Sequence, residues 1–230
     1  MKFGVVVFPG SNCDHDMINA LRDDLGQDVI ELWHKDDDLG QFDLNDCIVL
    51  PGGFSYGDYL RCGALARFSP IMEKVIEFGQ KGGKVLGVCN GFQILCEAGL
   101  LPGALLQNDH QKFVCKNIYL KSENDQNIIG KNMGKSILKI PVAHGEGRYQ
   151  ASASTIKDLQ DNHQIILSYC NEKGEKLSEA NPNGAIDNIA GICNKNRNIF
   201  GMMPHPERAT SSVLGNTDGQ IILKSFLQNI

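Results

Sequence analysis

The sequence lacks several patterns that mark common protein classes. Its 22 basic and 27 acidic residues give a formal net charge of −5, and no basic stripe of the kind needed to bind nucleic acid is present. Pro9 and Gly10 cut off the first apolar run, Met1–Phe8, so we expect neither a signal peptide nor a membrane segment. Linkers, low-complexity tracts and internal repeats are also missing, which predicts a single domain over residues 1–230.

Two further absences concern metals and nucleotides. The eight cysteines are scattered without a Cys-x-x-Cys pair, which argues against a zinc site and against a disulfide framework. Unpaired thiols are typical of the reducing cytoplasm, where we expect the protein to act. The segment Gly130–Ser136 imitates a phosphate-binding loop but is one residue short and follows no clear parallel strand. We therefore expect no metal site and no nucleotide cofactor in this chain.

Short apolar runs alternate with helical patterns in the N-terminal half of the chain. This alternation predicts an α/β fold with a mostly parallel sheet covered by helices on both faces, and the C-terminal half is richer in strands. The polar segment Lys121–Lys135 is predicted to be a mobile surface loop. The predicted strands are Phe3–Phe8, Val29–Trp33, Cys47–Leu50, Lys84–Val88, Phe113–Lys121, Ser136–Ala143, Gln164–Tyr169, Ile189–Cys193 and Ile199–Met203. The predicted helices are Asp14–Leu25, Ser69–Gln80, Asn90–Ala98 and Asp218–Gln228.

The most informative stretch surrounds Cys89. A short apolar run ends in Gly87-Val-Cys89-Asn-Gly91 and passes directly into a helical pattern, which is the thiol version of the Gly-x-Ser-x-Gly nucleophile elbow. The N-terminus of the following helix favours thiolate over thiol. The alternative is a buried structural cysteine, but the flanking glycines and the strand–turn–helix context favour a nucleophile.

Two candidate bases lie downstream of this cysteine. His205 and Glu207 are two residues apart, so in an extended segment their side chains share one face, where a carboxylate can orient an imidazole. A polar loop at the end of a strand is the alternative interpretation. His144 is a rival base, because it precedes the glycine-flanked Glu146 in a predicted tight turn.

A pair of glycines follows another predicted strand. Gly52 and Gly53 allow the backbone to approach a ligand and to aim its N–H groups at it. Sites in parallel sheets form at the carboxyl ends of the strands, so the Gly53 amide is a candidate partner for the Asn90 amide in an oxyanion hole. An ordinary turn between a strand and a helix is the alternative.

Together these motifs resemble class I, triad-type glutamine amidotransferases. More narrowly, four stretches in order are similar to the separate glutaminase subunits of phosphoribosylformylglycinamidine synthase. The resemblance implies one amidotransferase domain with a flavodoxin-like, mostly parallel central sheet, helices on both faces and a strand-rich C-terminal half. The four stretches are Gly52–Leu60, Gly87–Gln93, Ala143–Gly147 and Met203–Arg208.

The resemblance also implies a mechanism. Cys89 would attack the side-chain amide carbon of glutamine, while His205, oriented by Glu207, would take the thiol proton and pass it to the leaving ammonia. Water would then hydrolyse the glutamyl thioester to glutamate. The Gly53 and Asn90 amides would hold the oxyanion in both steps.

Substrate contacts and partners are implied in the same way. Gln93, Gly52, His144 and Glu146 would bind glutamine, the last two through their backbone. Ammonia would pass to a synthetase subunit that uses ATP and Mg²⁺ to convert formylglycinamide ribonucleotide to formylglycinamidine ribonucleotide in purine biosynthesis, and a small third subunit would complete the complex. An exposed Tyr56–Arg61 stretch beside the site would meet the synthetase.

Two alternatives remain open at this point. One is an independent cysteine hydrolase or peptidase on the same elbow fold, which would be fully active alone. The other is a non-catalytic regulatory subunit, against which the intact Cys89, His205 and Glu207 argue.

Overall fold

The computed structural model describes residues 1–134 and 136–227 of the chain. Its strands are β1 (Lys2–Val7), β2 (Asp28–Trp33), β3 (Cys47–Leu50), β4 (Lys84–Val88), β5 (Ala104–Leu106), β6 (Val114–Ser122), β7 (Leu138–His144), β8 (Arg148–Gln150), β9 (Ile165–Cys170), β10 (Ile189–Cys193) and β11 (Ile199–Met202). Its α-helices are α1 (Asp14–Asn19), α2 (Pro70–Gln80), α3 (Asn90–Glu97), α4 (Ile128–Met133), α5 (Ala153–Asp161) and α6 (Gly219–Ser225). A wider π-helical turn, Ala20–Asp24, continues α1.

Nine strands form one sheet in the order β2-β1-β3-β4-β11-β10-β9-β6-β7, and β5 pairs with β8 in a separate ribbon. Strands β2, β1, β3, β4 and β11 are paired in parallel, and the remaining neighbours are paired antiparallel. Following these pairings across the sheet, only β6 and β10 run against the common direction. The predicted α/β class with a mostly parallel sheet and a strand-rich second half is therefore confirmed.

The central strands are buried over their whole length. Every residue of β3, β4, β9, β10 and β11 is buried, so both faces of the sheet must be covered. Helix α3 packs against β3, β4 and β11, and its residues Asn90 to Leu95 are all buried. No helix within residues 1–134 and 136–227 is long and apolar enough to cross a membrane.

The predicted surface loop Lys121–Lys135 is wrong over its central part. Residues Ile128–Met133 form α4, which packs on α6 and buries Ile128, Ile129 and Met133. The Asn127 side chain caps the helix by accepting a hydrogen bond from the Gly130 amide at 2.8 Å. A helix of six residues is too short to show a clear period, and this one depends on its tertiary contacts. The predicted ends Lys135 and Gln228 lie outside the described residues.

The architecture brings the ends of four neighbouring strands together. Strands β1, β3, β4 and β11 are adjacent and parallel, so their carboxyl ends meet at one edge of the sheet. Val88 at the end of β4 is in register with Met202 at the end of β11. The chain after β11 also reaches β7, because the His205 amide donates a hydrogen bond to the Pro141 carbonyl at 2.8 Å. This edge therefore carries segments from both halves of the sequence.

Candidate active site

Cys89 lies in a strained turn between β4 and α3. Its backbone angles are φ 51° and ψ −106°, in the left-handed half of the map that residues with a side chain rarely adopt. The Cys89 amide donates to the Met202 carbonyl at 2.7 Å, which ties the turn to β11. Strain of this kind, at about 1–3 kcal/mol, is typical of functional turns. The thiol is presented at the N-terminus of a helix, as the elbow motif predicts.

The glycines on either side of Cys89 are required by close packing. A Cβ on Gly91 would stand 1.9 Å from the Leu50 carbonyl oxygen, and one on Gly87 would stand 2.6 Å from the Gly91 carbonyl oxygen. Both distances are far inside van der Waals contact. The elbow therefore fits against β3 only because these two side chains are missing.

His205 and Glu207 are brought to the elbow by the parallel pairing of β11 with β4. The imidazole Nδ1 and the carboxylate Oε1 are 2.6 Å apart, and both side chains are buried. His205 Nε2 has no hydrogen-bond partner among the described residues. The carboxylate fixes the ring through Nδ1, and Nε2 is left to accept a proton.

The charges around His205 favour its protonated form. Burial alone would lower its pKa, but the facing Glu207 carboxylate and the sulfur of Cys89 outweigh burial and raise the pKa to about 10. A proton that leaves the thiol is therefore stabilised on the imidazole.

Two backbone amides near the thiol are available to hold a developing negative charge. Gly53 has φ +123°, and a Cβ there would meet the Asn12 amide nitrogen at 2.6 Å, so only glycine fits. Neither the Gly53 nor the Asn90 amide donates a hydrogen bond to any residue that the structure describes. Unpaired N–H donors beside a nucleophile can form an oxyanion hole. The pairing of these two amides on one oxyanion stays a prediction.

A cleft of about 140 Å³ opens beside the thiol. Six of the nine predicted site residues line it, and Gly52, Asn90 and Glu207 lie directly behind its wall. A larger hollow of about 510 Å³ between Asp37–Leu44 and α2 is lined by no cysteine, serine, threonine or histidine. The residues lining the smaller cleft are Asn12, Cys13, Gly53, Phe54, Asp58, Cys62, Cys89, Gln93, Phe113, Ala143, His144, Gly145, Glu146, His205 and Arg208.

Gln93 joins α3 to the turn after β7. Its Nε2 donates to the Glu146 carbonyl at 2.6 Å, and its Oε1 accepts from the Asn90 side-chain amide at 2.9 Å. Both ends of its side chain are therefore occupied by protein groups. Gln93 and Glu146 line the cleft, and the Glu146 carbonyl holds the Gln93 side chain. The expected contacts of both residues with glutamine stay predictions.

His144 is a buried neutral side chain. Its Nδ1 lies 3.1 Å from Asn108 Oδ1, and its Nε2 lies 3.4 Å from the Asn183 side-chain nitrogen. Burial, helped by the nearby His205, lowers its pKa to about 4. Both ring nitrogens are thus held by amide groups, and this histidine is poorly suited to accept a proton from Cys89.

Sequence reasoning gave no role in the site to four residues that line the cleft, Asp58, Cys62, Cys13 and Arg208. Asp58 accepts hydrogen bonds from Asn90 Nδ2 and from the Cys62 thiol, each at 3.0 Å, and its pKa is raised because it is half-buried. Cys13 accepts a hydrogen bond from Arg208 Nη2 at 3.1 Å. Asp58 stands inside a motif noted above, but nothing local in the sequence marks Cys13 as a neighbour of Arg208.

Comparisons with known proteins agree with this geometry. The sequence profile of the CobB/CobQ-like glutamine amidotransferase domain matches residues 1–221. A Moorella thermoacetica protein named phosphoribosylformylglycinamidine synthase subunit PurQ is 53% identical over 228 residues, which cover 99% of this chain and 95% of that protein. A protein of the same name from Aquifex aeolicus is 49% identical over 230 residues, with both chains covered completely.

A solved structure supports the same relationship. A chain in the structure of PurLQS from Thermotoga maritima superposes with a TM-score of 0.84 at 40% identity, and the match covers 98% of this chain and 97% of that one.

Proposed function

This chain belongs to the family of CobB/CobQ-like glutamine amidotransferase domains, and from that membership we propose that it is the glutaminase subunit of a phosphoribosylformylglycinamidine synthase. It releases ammonia from glutamine and works with a synthetase subunit of the same enzyme. One observation carries the chemistry. The strained Cys89 elbow follows β4, the buried His205–Glu207 pair follows β11, and these two strands are adjacent and parallel.

Nucleophilic attack is assigned to Cys89. Its sulfur adds to the side-chain amide carbon of glutamine, and His205 holds the thiol proton until the leaving nitrogen takes it. The 2.6 Å contact with Glu207 keeps the ring in position during this transfer. The resulting glutamyl thioester is then attacked by water, for which His205 serves as base, and glutamate leaves.

The Gly53 and Asn90 amides are assigned to stabilise the negative charge that develops on the amide oxygen of the substrate. Each is unpaired within the described part of the chain, and removal of one such donor typically costs about 3–4 kcal/mol of barrier. Both amides are fixed by their neighbours, Gly53 by its close approach to Asn12 and Asn90 by the first turn of α3. The hole is thus built from rigid backbone.

Asp58 is assigned to bind the α-ammonium group of glutamine. Asp58 is a half-buried carboxylate on the wall of the cleft, and the Asn90 side chain, one residue from the nucleophile, holds it at 3.0 Å. Burial makes its negative charge costly, and a bound cation would relieve that cost. Gln93 and the backbone of His144 and Glu146 complete the wall, and Gly52 keeps it clear of side chains.

The ammonia is consumed by the synthetase subunit, where ATP and Mg²⁺ would activate formylglycinamide ribonucleotide, and a small third subunit completes the assembly. We place contact with the synthetase at Tyr56–Arg61, where Tyr59 and Leu60 are 74% and 89% exposed beside the cleft. The eight cysteines are all unpaired, which supports a cytoplasmic location.

The test is a reconstituted synthase assayed with glutamine or with ammonium as nitrogen source. Cys89→Ala should abolish synthesis from glutamine and leave synthesis from ammonium intact, because only the first route needs the thiol. Cys115→Ala removes an exposed thiol outside the cleft and serves as the matched control. Retained use of glutamine by the Cys89→Ala complex would refute the nucleophile assignment.

The isolated chain and the reconstituted complex also distinguish this function from an independent hydrolase and from a non-catalytic subunit. Full hydrolytic activity of the isolated chain toward peptides or esters would favour an independent hydrolase. A glutamine-analogue electrophile should label Cys89 covalently in the complex, and absence of labelling there would favour a non-catalytic subunit.

A further inference from the structure

Cys13 lies on the loop after β1, and its thiol shares a buried pocket with the His205–Glu207 pair. The Cys13 sulfur, an imidazole nitrogen of His205 and a carboxylate oxygen of Glu207 all lie within 4.8 Å of one another. The three side chains are 4%, 1% and 2% exposed. Glutamine hydrolysis as assigned above uses the histidine and the glutamate but gives this second thiol no role.

Two polar atoms of the cluster have no partner. His205 Nε2 and Glu207 Oε2 are both buried and make no hydrogen bond to any described residue. A buried polar atom without a partner costs about 1–3 kcal/mol, so both atoms favour a ligand that they can bind. In the proposed reaction, Nε2 takes a proton from the Cys89 thiol and passes it to the substrate, whereas Oε2 has no role.

Gly52 lets the backbone pack closely against these groups. A Cβ on Gly52 would stand 2.8 Å from His205 Cε1, 3.3 Å from the Cys13 sulfur and 3.3 Å from Cys89 Cβ. The two thiol-bearing residues and the imidazole are therefore near neighbours around the Gly52 backbone. Cys13, Cys89 and His205 also line the cleft.

The donor set matches the chemistry of zinc. Thiolate, imidazole and carboxylate are the three ligand types that Zn²⁺ prefers, at about 2.0–2.3 Å from the ion. Ligand atoms at tetrahedral angles then lie about 3.5 Å apart, so the present cluster needs to contract by about an ångström.

Charged side chains surround the Cys13 sulfur. Arg208 donates to the Cys13 sulfur at 3.1 Å, and its own charge is balanced by Asp16 at 3.0 Å. Burial and the Glu207 carboxylate raise the pKa of Cys13 to about 12. The metal therefore has to displace two protons, one from the Cys13 thiol and one from the protonated His205 imidazole, and both are released to solvent, as is usual when zinc binds cysteine and histidine.

We propose that Cys13, His205 and Glu207 form an inhibitory zinc site, with the fourth position open to Cys89 or water. A bound ion occupies the imidazole lone pair and pulls the carboxylate away from the ring. The nucleophile then has no proton acceptor, and glutamine hydrolysis stops until the metal is removed. The synthetase reaction with ammonium continues, because it does not use these residues.

Inhibition is measured on the reconstituted complex as the Zn²⁺ concentration that halves synthesis from glutamine, with synthesis from ammonium as the internal control. We expect Zn²⁺ to inhibit only the glutamine reaction and a zinc-selective chelator to restore it. Cys13→Ala should raise the half-inhibitory concentration at least about tenfold, as expected for loss of a ligand. Cys115→Ala, which removes an exposed thiol outside the cleft, should leave it near the wild-type value.

Direct binding is measured on the Cys89→Ala chain with Co²⁺ as a spectroscopic probe. A cobalt–thiolate absorption band should appear in this variant and disappear when Cys13 is also replaced by alanine. Equal zinc sensitivity of wild type and Cys13→Ala, or no cobalt–thiolate band in Cys89→Ala, would overturn the proposal. The binding measurement requires no catalysis, so it is independent of whether the glutaminase assignment is correct.

Discussion

Replacing Gly52 with alanine should disable glutamine hydrolysis without unfolding the chain. The added Cβ would stand 2.8 Å from His205 Cε1, whereas carbon atoms in normal contact are about 3.5–4.0 Å apart. Gly52 is not among the glycines with positive φ, so its backbone accepts alanine. The clash therefore falls on the buried imidazole ring.

The size of the effect follows from this distance. The ring must move by about 0.7–1.2 Å to reach normal contact with the new carbon. A displacement of about 1 Å of a catalytic group can cost about 10²-fold in rate, or about 2.7 kcal/mol of barrier. Overpacking adds about 1–3 kcal/mol of instability, which an otherwise well-packed domain tolerates.

The assay compares kcat for glutamine-dependent and ammonium-dependent synthesis in the reconstituted complex, together with a thermal melt of the isolated chain. We expect Gly52→Ala to lower the glutamine rate about 100-fold and to leave the ammonium rate unchanged. Gly145→Ala is the matched control, because it adds a methyl group to the same cleft with only an ordinary 3.8 Å contact to Phe113. Its rate should stay much closer to that of wild type.

One result would refute the reasoning. If folded Gly52→Ala used glutamine as well as Gly145→Ala does, the position of His205 would not depend on the space at Gly52. The assignment of this histidine as a tightly positioned base would then fail.

Three further substitutions test other parts of the structure. Asp58→Asn should raise KM for glutamine about 10–100-fold with a smaller change in kcat, because it removes a charge-assisted contact worth about 1.5–3 kcal/mol; an unchanged KM would contradict the assigned contact with the α-ammonium group. The pKa of His144 is about 4 in the folded chain, so at acidic pH the unfolded chain binds a proton that the folded chain does not. Through this histidine, the free energy of unfolding should fall by about 3 kcal/mol as the pH falls from about 6.5 to about 4. Urea unfolding should show that the free energy of unfolding falls less between pH 7 and pH 4.5 in His144→Gln than in wild type or in the exposed-site control His15→Gln. Equal falls in all three would contradict the effect of burial on His144. Gly91→Ala should destabilise the chain by more than about 3 kcal/mol, since its Cβ would stand 1.9 Å from the Leu50 carbonyl oxygen, and urea unfolding near the wild-type midpoint would show that the elbow can relax.

Elements whose determinants lie within a few residues were predictable. The bounds of β3, β4 and β10 agree with the predicted strands to the residue, because each is a short, mostly apolar run next to turn-forming residues. The elbow at Cys89 is encoded by five consecutive residues. His205 and Glu207 meet as expected, but not in the extended segment that the prediction assumed, because Pro206–Arg208 form a 3₁₀ turn directly after His205.

Features that depend on distant contacts were not predictable. Helix α4 is held by α6, and α5 was missed because its short pattern is mostly polar, although Ser152 caps it. Cys13 meets His205 only because β1 and β11 end at the same edge of the sheet, a fact of topology that local patterns do not carry. The role of Asp58 likewise depends on its contact with Asn90, which lies more than thirty residues away.

The position of β11 has a consequence for the order in which function appears. Among the strands of the described residues it is the last along the chain, yet it sits in the middle of the sheet, between β4 and β10. During synthesis the thiol at Cys89 emerges long before its base, and the two halves of the sheet have no common neighbour until β11 inserts between them. A partly made or truncated chain therefore carries the nucleophile without a proton acceptor. Ammonia release should begin only when the sheet is complete, so the fold itself protects the cell from glutamine hydrolysis by unfinished subunits.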